Sequence, residues 1–125
     1  MRHHVNEEDT AIALGSGDVP VLATPRLVAW MEAATVEAAR PFVGPGQTSV
    51  GTAVRVEHLR AAAVGGSVAV TAEAGPADGR RLTFRVRAVD DDGRLVGSGE
   101  IDRAVVDRDR FLAARPARGD DSGGA

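Results

Sequence analysis

Between Thr24 and Pro41 runs a segment that is apolar around most of a helical circumference, and no other stretch restricts the fold as strongly. Thr24-Pro25 reads as a helix start, with Thr able to cap and Pro suited to the first turn. The segment from Arg26 to Arg40 then stops at Pro41. At 100° per residue, Arg26, Glu37 and Arg40 fall together within about 60°. The rest of the circumference carries Leu27, Val28, Trp30, Met31, Ala34, Val36 and Ala39. Such a helix is expected to be buried, so other elements must surround it.

The second half of the chain supplies them. Segments near 48–59, 67–74, 80–90 and 94–106 alternate with the two-residue period of half-buried strands. Val50, Thr52, Val54, Val56 and His58 share one parity; Ala53, Arg55 and Glu57 share the other. Turn signals separate the segments: Val64-Gly65-Gly66, Gly75-Pro76-Ala77-Asp78-Gly79 and Asp90-Asp91-Asp92-Gly93. The predicted architecture is α+β, an antiparallel sheet wrapped around one long central helix. Residues 1–20 read as a short strand and a loop, and Asp107 to Ala114 as a short terminal helix. A chain of 125 residues holds one domain, expected over 1–114, with a disordered Pro-, Gly- and Asp-rich tail over 115–125.

Composition excludes several functions. Aromatic residues are 3% of the chain, too few for base stacking, and the net charge of -3 supplies no field for nucleic acid or anionic lipid. The absence of Cys removes disulfides, thiolate metal sites and Cys nucleophiles, and the absence of Lys removes lysine Schiff bases. No apolar run nears the roughly 20 residues of a membrane helix, so no membrane role and a cytoplasmic location are expected. Three His residues are too few for a His-rich metal cluster, and no metal site is expected.

Two polar residues break the pattern. Glu32 falls between Val28, Val36 and Ala39 on the wheel, where a carboxylate must be paired, hydrogen-bonded or protonated. His58 shares the inward parity of Val54 and Val56. Each has an ordinary reading, as a structural acid or a satisfied core imidazole. Together, facing one helix–sheet interface, they suit acid/base or nucleophilic work. Thr24 reads first as a cap and second as a catalytic hydroxyl. His3-His4 reads as terminal sequence, and Gly97-Ser98-Gly99 as a bulge or close-packing site within a strand. The Arg80, Arg81, Arg85 and Arg87 cluster reads as a solvated sheet face, with phosphate binding as the alternative.

An ordered set of short motifs sharpens this. Val21-Leu22-Ala23-Thr24-Pro25, Met31-Glu32-Ala33-Ala34, Thr48-Ser49-Val50-Gly51-Thr52, Glu57-His58-Leu59 and Gly79-Arg80-Arg81-Leu82 occur in sequence, followed by Gly97-Ser98-Gly99, Arg103 and Asp107-Arg108-Asp109-Arg110-Phe111. Over roughly residues 10–112 the chain resembles the hotdog-fold thioesterases of the fluoroacetyl-CoA thioesterase type. The resemblance implies a homodimer, or a higher oligomer, with active sites at the subunit interface and no cofactor beyond the CoA of an acyl-CoA substrate. It places the family's catalytic residues on Thr24, Glu32 and His58, and its substrate-binding Gly and Arg on Gly51 and Arg103. Pro25 and the Ile101-Asp102 pair before Arg103 depart from the fluoroacetyl pattern. What carries over is therefore general acyl-CoA hydrolysis of a small or medium acyl group, with Glu32 as base or nucleophile.

A non-catalytic acyl-thioester binding module and an accessory thioesterase acting on a carrier-bound thioester remain as alternatives. Thr24 and Glu32 are eight residues apart, roughly 12 Å along a helix, so one chain cannot join them by a hydrogen bond. Either Thr24 precedes the helix in a loop that folds back, or the site is composed from two subunits; the composite site is the expectation.

Overall fold

A computed structural model describes residues 1–115; the tail expected over 115–125 lies, from residue 116 on, outside them. Strand β1 (Arg2–His4) is followed by a 3₁₀ turn (Glu7–Asp9) and a one-turn helix α1 (Ala11–Leu14). The long helix α2 (Thr24–Ala39) precedes strands β2 (Gln47–His58), β3 (Ser67–Ala74), β4 (Arg81–Val89) and β5 (Leu95–Asp107), and a short helix α3 (Arg108–Ala113) ends the described chain. The strands form one antiparallel sheet in the order β1-β3-β4-β5-β2. The predicted helix and four strands therefore form within a residue or two of their expected bounds. The helical turns before residue 15 are too short to leave a period in the sequence and were expected as loop.

Alternation decides which face of the sheet meets α2. Leu82, Phe84, Val86 and Ala88 of β4 point inward and are buried, while Arg81, Arg85 and Arg87 point out and are exposed. On the outer face the register sets Glu73, Arg85, Glu100 and Arg55 side by side across four strands, so Arg85 and Arg55 stand beside carboxylates, while Arg87 stands between Thr71 and Ser98. This is the solvated-face arrangement.

Packing on β5 requires glycine. A Cβ on Gly97 would come within 3.0 Å of Leu27 Cδ2 and 3.4 Å of Met31 Cε, and one on Gly99 would overlap the Arg55 carbonyl oxygen. The Gly97-Ser98-Gly99 segment is thus a close-packing site, and Leu27 and Met31, both 0% exposed, sit against it.

Two expectations need correction. The first is burial of α2 all round. Leu27, Met31, Ala34, Thr35 and Ala39 are buried, but Ala29 is exposed and Val36 is 43% exposed. On the wheel the buried residues span about 80° to 220° from Arg26, because a five-stranded sheet covers one side of a helix only. Glu32 falls just beyond that arc. The second is the parity of β2. The β2–β5 register shifts between Gly51 and Ala53, leaving Thr52 unpaired. Such a bulge moves every upstream side chain to the other face. Val54, Val56 and His58 pair with Ile101, Gly99 and Gly97 on the helix side; upstream it is Ser49 and Gly51, not Val50 and Thr52, that join them.

Near the N-terminus, the His3 ring stacks on Trp30 with centroids 4.4 Å apart and planes 4° from parallel, and His4 Nδ1 shares a 3.1 Å hydrogen bond with Ser67 Oγ. Both histidines fasten β1 to its neighbours.

Replacing Gly99 by Ala forces a methyl into the Arg55 carbonyl. We expect a loss of about 1–3 kcal/mol, the usual cost of overpacking, read as a lower midpoint in urea denaturation.

Candidate active site

Thr24 is held where two short backbone bridges meet. Leu22 N donates to Ala62 O at 2.8 Å and Ala23 N to Asp9 O at 2.8 Å, and α2 begins at the next residue. Ala23 occupies the cap position and makes no side-chain cap bond, so the expected capping role for Thr24 does not hold. Its hydroxyl is instead 2.7 Å from His58 Nδ1. His58 is fixed by pairing with Gly97 at the end of β2, after which Leu59 N bonds Val96 O at 2.7 Å.

His58 Nε2 is buried without a hydrogen-bond partner among the described residues. Either neutral tautomer can share the bond with Thr24, and both leave Nε2 available. Burial pushes the imidazole below its ordinary value of 6.5, opposed by the backbone of Arg60. The ring is therefore neutral at pH 7. A cleft of about 330 Å³ opens onto the pair, lined also by Asp18, Val19, Leu59 and Arg60, with no aromatic side chain.

A second group forms further along α2. Glu32 Oε2 is 3.5 Å from Arg103 Nη1, and a Cβ on Gly51 would lie 2.5 Å from the same oxygen. Gly51 is thus the residue that makes room for the carboxylate against β2. The Glu32 side chain is 42% exposed and that of Arg103 7%. Burial lowers the Arg103 pKa and the Glu32 charge opposes the shift.

The structure thus sorts the five expected site residues into two groups. Thr24 and His58 meet; Glu32, Gly51 and Arg103 meet; α2 separates the groups by roughly 12 Å along its axis. Because Thr24 is itself the first helical residue, no folded-back loop brings it to Glu32. Two further residues belong to the second group and were not foreseen. Ser49 and Thr35 both bond Arg103. Thr35 carried a signal, as a polar residue on the apolar arc; Ser49 carried none, since the bulge reverses its parity. Among the described residues no group of three or more His, Asp or Glu is placed to hold a metal, and no helix is long and apolar enough to cross a membrane.

A curled antiparallel sheet around one long helix, with polar groups at the helix–sheet seam, is the hotdog architecture of thioesterases. A thioesterase-superfamily structure from Thermus thermophilus matches with a TM-score of 0.84 at 29% identity, over 90% of this chain and 83% of that one. A structure of the fluoroacetyl-CoA thioesterase FlK matches with a TM-score of 0.83 at 36% identity, over 93% of each chain. In sequence, the fluoroacetyl-CoA thioesterase of Streptantibioticus cattleyicolor is 44% identical over 93 residues, which span 74% of this chain and 66% of that protein, just under two thirds of its length. The profile of the fluoroacetyl-CoA-specific thioesterases matches residues 5–109. The chain belongs to that family.

The depressed His58 pKa has a sign that can be tested. Below about pH 6.5 the unfolded imidazole takes up a proton more readily than the folded one, so stability is full above 6.5 and falls as pH drops through the lower folded value. His3 is lowered by burial too and adds to the same trend. Urea midpoints measured from pH 8 to pH 5 should decline on the acid side, and less steeply in His58→Gln.

Proposed function

We propose that the protein hydrolyses a small acyl-CoA thioester to the free acid and CoA, at a site composed from two subunits of a homodimer. The observation that carries this is the separation of Thr24–His58 from Glu32–Gly51 within one chain, each pair incomplete alone. Three features support the dimer. Strand β2 is twelve residues long and forms an edge of the sheet, and such edges are usually covered. Val54 on β2 and Val36 on α2 are 45% and 43% exposed on that side. Antiparallel pairing of two β2 strands about a twofold axis at Arg55 would set Val54 opposite Val56 of the partner subunit and bring His58 to the bulge at Thr52 of the partner subunit, next to Gly51 and the Glu32 carboxylate.

In this reading Glu32 takes a proton from water as the water oxygen attacks the thioester carbonyl carbon. The Gly51 backbone amide steadies the carbonyl oxygen as it gains charge. The carbon–sulfur bond then breaks, with its electron pair on sulfur. Thr24 donates its hydroxyl proton to Nδ1, which leaves Nε2–H to hydrogen-bond the departing thiolate. The proton held by Glu32 passes to sulfur, giving CoA thiol and free acid and regenerating the carboxylate. Direct attack by Glu32 reaches the same products through an anhydride; where water then opens the anhydride at the Glu32 carboxyl carbon, a single turnover in ¹⁸O water labels the enzyme carboxylate, which general-base catalysis never does. A point mutant of FlK has been crystallised with fluoroacetate and CoA; the acyl group here is taken to be similarly small. CoA enters as substrate, no further cofactor is required, and the site of action is the cytoplasm.

Glu32→Gln keeps the shape and removes the basicity. With a panel of short acyl-CoAs and detection of free thiol, it should turn over about 10²–10⁴-fold more slowly than wild type while remaining folded. Near wild-type hydrolysis would show that Glu32 is structural. Mixing Thr24→Ala and Glu32→Gln homodimers after reversible unfolding should restore about a quarter of wild-type activity, since random exchange makes half the dimers mixed, each with one intact site of two. A solution mass near 12.9 kDa at micromolar concentration, or no recovery despite proven exchange, overturns the composite site.

A further inference from the structure

The Arg103 guanidinium is almost wholly enclosed, which leaves little of it for a ligand. Its Nε donates to Ser49 Oγ at 2.9 Å and Nη2 to the Ser49 carbonyl oxygen at 3.0 Å. Nη1 donates to Thr35 Oγ1 at 3.4 Å and faces Glu32 Oε2 at 3.5 Å. Thr35 Oγ1 spends its own proton on the Glu32 carbonyl oxygen at 2.6 Å, so toward Arg103 it can act only as acceptor. Both side-chain hydroxyls thus accept from one planar cation, whose Nη1 also faces the Glu32 carboxylate. Glu32 is the carboxylate within ion-pair distance of Arg103 among the described residues.

We propose that Ser49 and Thr35 are positioning residues, acting through Arg103 to aim the Glu32 carboxylate past Gly51. The proposal rests on the catalytic reading of Glu32 and goes beyond it, since it moves Arg103 from substrate contact to support. The geometry explains the residue types. A guanidinium is flat and forked, so bonds to Ser49 and Thr35 fix its plane, whereas an ammonium would keep charge without orientation. Glu32 needs such a clamp because it lies at the margin of the buried arc of α2, where packing on the sheet does not hold its side chain. The bulge at Thr52 belongs to the same device: without it, Ser49 would point to the outer face of the sheet.

The test is kinetic and uses the intact dimer. Ser49→Ala and Thr35→Val each remove one hydroxyl, and Arg103→Lys keeps the charge without the fork. A carboxylate misplaced by a fraction of an ångström to about 1 Å loses up to about 100-fold in rate, so we expect kcat to fall by about 5- to 100-fold, with KM for acyl-CoA within about twofold. Ser49→Thr and Thr35→Ser, which restore a hydroxyl, should recover most of the loss. The decisive measurement is a double-mutant cycle: in the Glu32→Gln background, Ser49→Ala should have no further effect on the residual rate. Equal losses in both backgrounds overturn the proposal, as does a tenfold rise in KM at unchanged kcat for Arg103→Lys, which would mean that Arg103 touches substrate. A lower melting temperature with wild-type kcat and KM in the hydroxyl variants would make the cluster merely structural, and also overturns it. Should Arg103→Lys fail to fold, the two hydroxyl variants and the cycle still decide. Wild-type activity in Glu32→Gln instead defeats the catalytic reading itself, so the two failures are distinct.

Discussion

The seat of Leu27 and Met31 against β5 is the contact on which the arrangement depends. Both side chains are fully buried, and they reach the sheet because Gly97 presents no side chain to them. At about 25 cal/mol per Å² of apolar surface removed from water, two such residues are among the larger single contributions to a chain of this size. The seat also sets the height and rotation of α2. Thr24, one turn before Leu27, is thereby delivered to His58, and Glu32, next to Met31, to Gly51 and Arg103. A looser seat would disturb both polar groups together.

The second constraint is that five strands cover a helix on one side only. The uncovered margin of α2 carries Glu32 and Val36, and the neighbouring sheet edge carries Val54. In an isolated chain this would be apolar surface beside a half-exposed carboxylate and a long unpaired strand. The homodimer proposed above would relieve all of it at once, pairing the strand, covering the valines and bringing a Thr–His pair toward the carboxylate. In that proposal assembly and chemistry are linked by the same geometric shortfall.

Glycine and the Thr52 bulge serve the polar groups as the Leu27 seat serves the core. Gly51 makes room for a carboxylate, and the bulge turns Ser49 inward to hold the Arg103 cation. A buried guanidinium is costly unless its donors are satisfied, and here Ser49 and Thr35 accept three of its hydrogen bonds while the Glu32 carboxylate balances its charge. The polar cluster is therefore self-consistent within one chain before any substrate is bound.

The amino-acid sequence alone determined the class of fold. Helix and strand periods differ, so the apolar pattern of residues 24–40 and the alternation of the second half put α2 and the four long strands within a residue or two of their places, though not the faces of β2 upstream of its bulge. It also marked Glu32 and His58, because a charge in an apolar stripe stands out in a linear string. Thr24, Gly51 and Arg103 became candidates only by resemblance to a family. Tertiary structure decided the rest. Whether the Thr24 hydroxyl caps a helix or bonds a histidine depends on where the far end of β2 lies, thirty-four residues away. Which face Ser49 occupies depends on a bulge, and a bulge is a mismatch of register between two strands about fifty residues apart. Periodicity records the local repeat of the backbone, whereas these choices are settled by contacts between distant segments, which appear only when the chain has closed on itself.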